Sequence, residues 1–130
     1  MSIFSKIISG EIPCYKVAED KHHLAFLDIN PLKMGHTLVI PKKEIDYIFD
    51  MEDNELAALH VFASKVAKSI KNNVECKKIG IAVVGLEVPH THIHLIPINA
   101  VSDMDFSKPK LSVNADEMQQ LASKISVTLD

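Results

Sequence analysis

No stretch of this sequence stays apolar long enough to cross a membrane. The longest nearly unbroken run, Ile79 to Leu86, contains two glycines and falls far short of the roughly 20 residues a spanning helix needs. A membrane partner is excluded on this reading. Charge of one sign is missing too. Fourteen Lys plus Arg face seventeen Asp plus Glu, for a formal charge of -3, so no global positive field exists to hold a phosphodiester backbone and no nucleic-acid partner is expected. Cysteine is scarce: Cys14 and Cys76 are far apart and make neither a C-x-x-C pair nor a disulfide framework. Both are expected to be reduced packing residues. The opening residues, Met1-Ser2-Ile3-Phe4-Ser5-Lys6, show no apolar run behind a basic start and no small-residue cleavage site, so a cytoplasmic address is expected. Internal repeats and low-complexity segments are also absent.

What is present suits one compact α+β domain spanning residues 1–130, with 47% apolar and 24% charged residues. Ser2 to Ile8 carries apolar residues at 3, 4, 7 and 8, a short amphipathic helix ended by Gly10 and Pro13. Tyr15 to Val17 and His22 to Ile29 read as strands of a hairpin about Glu19-Asp20-Lys21, and His36 to Ile40 as a third strand after Gly35. From Asp53 to Val74, the spacing of Leu56, Leu59, Ala63, Val66 and Ile70 marks one face of a long helix. Lys77 to Val84 and Thr91 to Ile98 read as two more strands. Asn114 with Glu117 is a capping-box-like start for a last helix, striped by Met118, Leu121, Ala122, Ile125 and Leu129. With no βαβ repeat, this order predicts an antiparallel meander with helices on one face.

Seven of the 130 residues are histidine, and four of these, His36, His90, His92 and His94, fall in two segments that otherwise look like buried strands. In an extended chain His90, His92 and His94 share one face, while Thr91, Ile93 and Leu95 take the other. Imidazoles within ~4–6 Å of one another depress each other's pKa, and burial adds to the effect, so at least one is expected to be neutral at pH 7. A neutral imidazole is a nucleophile, a base or a metal ligand. Three of them could hold Zn²⁺ with an open fourth position, as in a metallohydrolase or hydratase. Alternatively one attacks covalently while its neighbours donate to an anion. The spacing by itself leaves both open.

Gly35-His36-Thr37-Leu38-Val39-Ile40-Pro41 together with His90-Thr91-His92-Ile93-His94-Leu95-Ile96 closely resembles the histidine triad (HIT) superfamily and its nucleotide-binding (Hint) branch. The signature there is His-φ-His-φ-His-φ-φ, with a fourth histidine in an earlier G-H-x-L-V-I-P strand. The likeness extends to Ile3–Pro13, to Ala25–Pro31 and to the long helix. It covers a core of about residues 2–99 and leaves out the loop and helix of 100–130.

The resemblance implies an antiparallel sheet with a long helix across it, a homodimer, and nucleotidyl transfer without a cofactor or a metal. His92 resembles the nucleophile that attacks the α-phosphorus of a purine nucleoside phosphoramidate, of AMP or GMP type, or of a polyphosphate. Water would then hydrolyse the nucleotidyl-histidine. His94 and His36 resemble phosphate donors, and His90 the residue that orients the site. Asp28 resembles the ribose contact, and Phe4, Ile7 and Phe26 the apolar walls of the purine pocket. Ile29, Gly85 and Glu87 complete the implied nucleotide-binding set. The implied rivals are a dinucleoside polyphosphate hydrolase and a nucleotide-binding module with weak catalysis.

Two departures from the family pattern bear on substrate. The loop before the triad is the short Gly85-Leu86-Glu87-Val88-Pro89, which lacks the Asn and small polar residues seen in phosphoramidase members. Glu87 there would favour a cationic, amine-derived leaving group. Some bacterial relatives begin with a zinc-binding C-x-x-C, where this chain has Ser2 and Ser5, so no structural zinc is expected. Lys42 and Lys43 read as solvated strand-end charges, and His22, His23 and His60 match no site position.

Overall fold

The computed structural model describes residues 1–127. Its first helix, α1 (Ile3–Ile8), starts at Ser2, whose Oγ accepts the Ser5 N–H at 3.0 Å and so satisfies one of the orphan donors of the first turn. Strands β1 (Lys16–Glu19) and β2 (His23–Leu27) form the expected hairpin. Asp20 closes it by accepting the N–H groups of both His22 and His23. Strand β3 (Thr37–Pro41) follows Gly35, which has a φ of +99° and packs against Val74 and Pro97. Helix α2 (Asp53–Asn73), strands β4 (Lys78–Ala82) and β5 (Ile93–Ile98), and helix α3 (Ala115–Val127) complete the chain. Asn114 caps α3 as read: its Oδ1 accepts the Glu117 N–H at 2.8 Å. Leu129, placed in the stripe of this helix, lies outside the described residues.

The five strands pair antiparallel in the order β1-β2-β3-β5-β4. β1 to β3 run as a meander, and α2 then carries the chain across the sheet to the edge. β5 returns between β3 and β4, where backbone groups on both of its sides find partners. Strands β2 and β3 alternate between two apolar layers. Ala25, Leu27, Val39, Ile93 and Leu95 face Leu59, Ala63, Val66 and Ile70 of α2 and Met118, Ala122 and Ile125 of α3. Each Leu or Ile fully buried there contributes ~1.5–3 kcal/mol relative to exposure. Leu24, Phe26, Leu38 and Ile40 point the other way and pack with Phe4.

Two expectations are corrected. The helices do not share one face: α1 covers the second layer, because its Phe4 is the apolar group that shields Leu24, Phe26, Leu38 and Ile40. The last strand begins at Ile93, not Thr91. Both the N–H and the Oγ1 of Thr91 donate to the Ile45 carbonyl at 2.7 Å, so the chain there is tied to the loop after β3 and not to a neighbouring strand. Of the triad, only His94 lies within the sheet; likewise His36 immediately precedes β3.

Candidate active site

His94 is paired across the sheet with Leu38 and therefore projects from the face that carries Phe4, away from α2 and α3. His92 is on the same side, its ring 4.9 Å from that of His94 and edge-on to Phe4 at 5.0 Å. His36 enters from the other segment, with its ring 5.2 Å from His94. The row is thus His36, His94, His92. His90 lies beneath it, fully buried.

Backbone partners determine which nitrogen of each neutral ring carries the proton. His90 Nε2 is 2.8 Å from the Pro41 carbonyl and must donate, which leaves Nδ1 to accept from Ser2 Oγ at 2.8 Å. His92 Nδ1 is 2.8 Å from the His90 carbonyl, so Nδ1–H donates and Nε2 holds the lone pair. The Leu32 N–H donates to His36 Nδ1 at 3.0 Å, so His36 carries its proton on Nε2 and gives it to His94 Nδ1 at 2.9 Å. His94 must then keep its own proton on Nε2. The outcome is one ring with a bare Nε2 beside one with an Nε2–H.

Burial favours the uncharged form of His36, His94 and His90. Burial, followed by the charges of His94, Lys110 and His92, holds His36 down at about 3. Burial and then the adjacent His92 lower His94 to about 4. Burial also lowers His90, against the pull of the Pro41 carbonyl. Burial raises Asp28, which the Asn30 N–H partly offsets. Asp28 Oδ2 is 3.7 Å from His36 Nε2. With His36 neutral, that contact is between a carboxylate and a dipole, not an ion pair.

The rings face a cleft of about 500 Å³. All the residues singled out from the sequence line it except His90, which reaches the site only through its carbonyl. Phe4, Ile7, Phe26 and Ile29 form its apolar part, Asp28 its half-buried carboxylate, and Gly85 and Glu87 a rim on the loop between β4 and β5. One expectation changes. His36 does not present a free donor to the cleft, because its Nε2–H is committed to His94. The zinc set His90, His92 and His94 is not assembled either, since both ring nitrogens of His90 are engaged. Among the described residues, the group placed to hold an ion is Asp28, His36 and His94, with one ligand atom each within 4.8 Å. An ion there would have to open the His36–His94 hydrogen bond.

Three contributors were not legible in the sequence. Ser2 looked like a helix start, yet its hydroxyl also holds His90. Phe106 and Lys110 line the cleft from the stretch after β5, and Phe106 is edge-on to His94 at 4.8 Å. A lone aromatic in the polar segment Asp103 to Lys110 was the available signal. Lys42 and Lys43 pair with Glu19 and Glu55 and do not line the cleft.

Known proteins agree with this architecture. The HIT domain model matches residues 9–101. The chain is 35% identical to the adenosine 5'-monophosphoramidase hnt1 of Schizosaccharomyces pombe, over 95% of each chain. It is 46% identical to an uncharacterized HIT-like protein of Methanocaldococcus jannaschii, over 75% of this chain and 78% of that one. A crystal structure of a HIT-like protein from Bartonella henselae superposes with a TM-score of 0.83 at 30% identity, covering 97% of this chain and 95% of that one. On the matched domain, the relatives and the shared fold, this chain belongs to the HIT domain family.

Proposed function

We propose that this protein hydrolyses a purine nucleoside phosphoramidate at the α-phosphate through a nucleotidyl-His92 intermediate, without a metal. The observation that carries the reading is the Nδ1–H of His92 on the His90 carbonyl, which leaves Nε2 as the basic nitrogen beside the His94 donor. Nε2 attacks phosphorus, the P–N bond breaks, and the amine departs with its electron pair and a proton drawn from water. The hydroxide left by that water then attacks the same phosphorus, the N–P bond breaks with its electron pair returning to Nε2, and nucleoside 5'-monophosphate and neutral His92 are released. A nitrogen nucleophile divides one difficult substitution into two easier ones. The Nε2–H of His94 stabilises charge on a non-bridging oxygen, a role typically worth ~3 kcal/mol. Asp28 accepts from the ribose hydroxyls, and Phe4, Ile7, Phe26 and Ile29 flank the base. The name of the S. pombe relative supports the choice of leaving group.

The test is single-turnover trapping with labelled nucleotide on wild type and His92→Asn, alongside a panel of adenosine phosphoramidate, lysine-linked adenylate and dinucleoside polyphosphate. An acid-labile adduct on wild type, absent from His92→Asn, with turnover falling at least about 10³-fold and AMP affinity retained, is expected. Turnover must persist in chelator. Binding with no adduct makes the protein a nucleotide-binding module, and preferential cleavage of the polyphosphate replaces the amine as leaving group. Glu87 is exposed on the rim. There it favours a cationic amine by no more than the ~1 kcal/mol of a solvent-screened pair.

Pairing into a homodimer and a cytoplasmic address belong to the same proposal. β4 is an edge strand and Ile81 on it is 55% exposed, which supports pairing, and free Cys14 and Cys76 support a reducing compartment. Light scattering is expected to report twice the 14.4 kDa of the chain.

A further inference from the structure

The stretch between β5 and α3 is tied down at both ends to the connection between β2 and β3. Asp103 Oδ2 accepts the N–H groups of Asn99 and Ala100, and its Oδ1 meets Lys33 Nζ at 3.1 Å. Further on, the Leu111 N–H donates to the Pro31 carbonyl at 2.8 Å. Between these ties Asp105 orders a turn by accepting from the N–H and Oγ of Ser107, and Phe106 sets its edge on the His94 ring. The segment is a strap over the histidine end of the cleft. Lys110 folds back along it, with Nζ donating to the carbonyls of Phe106 and Lys108. These bonds use two of the three ammonium donors and hold the charge close to Phe106, which keeps one donor free.

The charges lining the cleft make this placement consequential. His36 Nε2 is spent on His94 Nδ1 at 2.9 Å, so of this pair only His94 Nε2 is left for a ligand. Asp28 and Glu87 are acidic. Lys110 is the one Lys or Arg among the described residues that line the cleft. Without it, a phosphate group would enter a site whose permanent charges are all negative, on a chain that is already -3 overall. We propose that Lys110 is a phosphate-binding residue of this site, which donates to a non-bridging oxygen of a nucleoside 5'-phosphate and makes the strap a determinant of nucleotide over nucleoside. This deepens the nucleotide reading above and rests on it. The surface pairs of Lys42 and Lys43 cannot substitute, because neither residue reaches the cleft.

Calorimetric titration of the full chain with AMP and with adenosine tests this, on wild type, Lys110→Gln and Lys110→Arg. Lys110→Gln is expected to weaken AMP about tenfold, to leave adenosine within about twofold, and to flatten the salt dependence of AMP binding. Lys110→Arg is expected to keep the preference for AMP. Unchanged AMP affinity in Lys110→Gln overturns the assignment, and so does equal weakening of both ligands, which would mark a merely structural role. Failure of the wild type to bind either compound overturns the nucleotide reading itself, a result distinguishable from failure of the Lys110 assignment alone.

Discussion

Across 2.9 Å, His36 Nε2 donates to His94 Nδ1, and this single hydrogen bond fixes the donor character of the ring nitrogen that His94 turns to the cleft. The two residues come from segments far apart in the chain. They meet because β3 and β5 are adjacent in the sheet, and the polarity of their bond originates in the Leu32 N–H on the far side of His36.

His36→Leu removes that donor and frees His94 to carry its proton on either nitrogen. Because His36 acts through His94, kcat/KM for the phosphoramidate is expected to fall about tenfold to a hundredfold, less than the ~10²–10³ of losing a donor that touches the transition state. The Leu32 N–H loses its acceptor as well, so urea unfolding is expected to show ~1–3 kcal/mol less stability. Unaltered kinetics in a destabilised protein would mean the relay is structural only.

Stability is expected to fall on acidification from neutral pH, earlier than carboxylate titration alone would require. His36 titrates at about 3 in the folded chain and at about 6.5 when unfolded. Between those values the unfolded chain binds a proton that the folded one refuses, so the contribution is complete above about 6.5 and drains away as pH drops toward 3. This histidine adds at most about 1.4 kcal/mol per pH unit to the slope, and His94, lowered to about 4, acts in the same direction. Urea midpoints at pH 7 and pH 5 check it: the difference should shrink in His36→Leu, and an equal difference in both proteins refutes the assignment.

Ser2→Ala removes a helix cap and the only side-chain donor to buried His90 Nδ1 among the described residues. A cap is worth ~0.5–2 kcal/mol and an orphaned buried acceptor ~1–3 kcal/mol, so a combined loss of about 2–4 kcal/mol is expected in urea. Ser2→Thr, which keeps the hydroxyl, should recover most of it. If alanine is tolerated within about 0.5 kcal/mol, the hydroxyl does not hold His90.

Gly35→Ala and Gly85→Ala separate backbone strain from crowding. Both positions have positive φ, +99° and +70°, and each pays ~1–2 kcal/mol for a side chain there. At Gly85 a Cβ meets open space, whereas at Gly35 it comes within 3.0 Å of Val74 Cγ2 and 3.2 Å of Pro97 Cγ. Overpacking adds ~1–3 kcal/mol, so Gly35→Ala is expected to be clearly the more destabilising in parallel denaturation curves.

Local periodicity was sufficient for much of the fold. The three- and four-residue steps of α2 and the Asn114–Glu117 start of α3 were legible because a helix buries one face and caps its own ends with near neighbours. The repeat of histidine at every second position was legible in the sequence; the structure sets His92 beside His94, whereas His90 lies beneath the row with both ring nitrogens engaged. Tertiary structure alone decided the rest. Which nitrogen of His92 is bare, and what His36 does with its proton, depend on the His90 carbonyl and the Leu32 N–H, groups identical in every residue and therefore silent in a sequence. The side of the sheet taken by α1 followed from which apolar layer lacked cover. Phe106 and Lys110 reach the cleft from a stretch that Asp103 ties to Lys33 and Leu111 ties to Pro31, contacts between segments whose separation along the chain leaves no periodic trace.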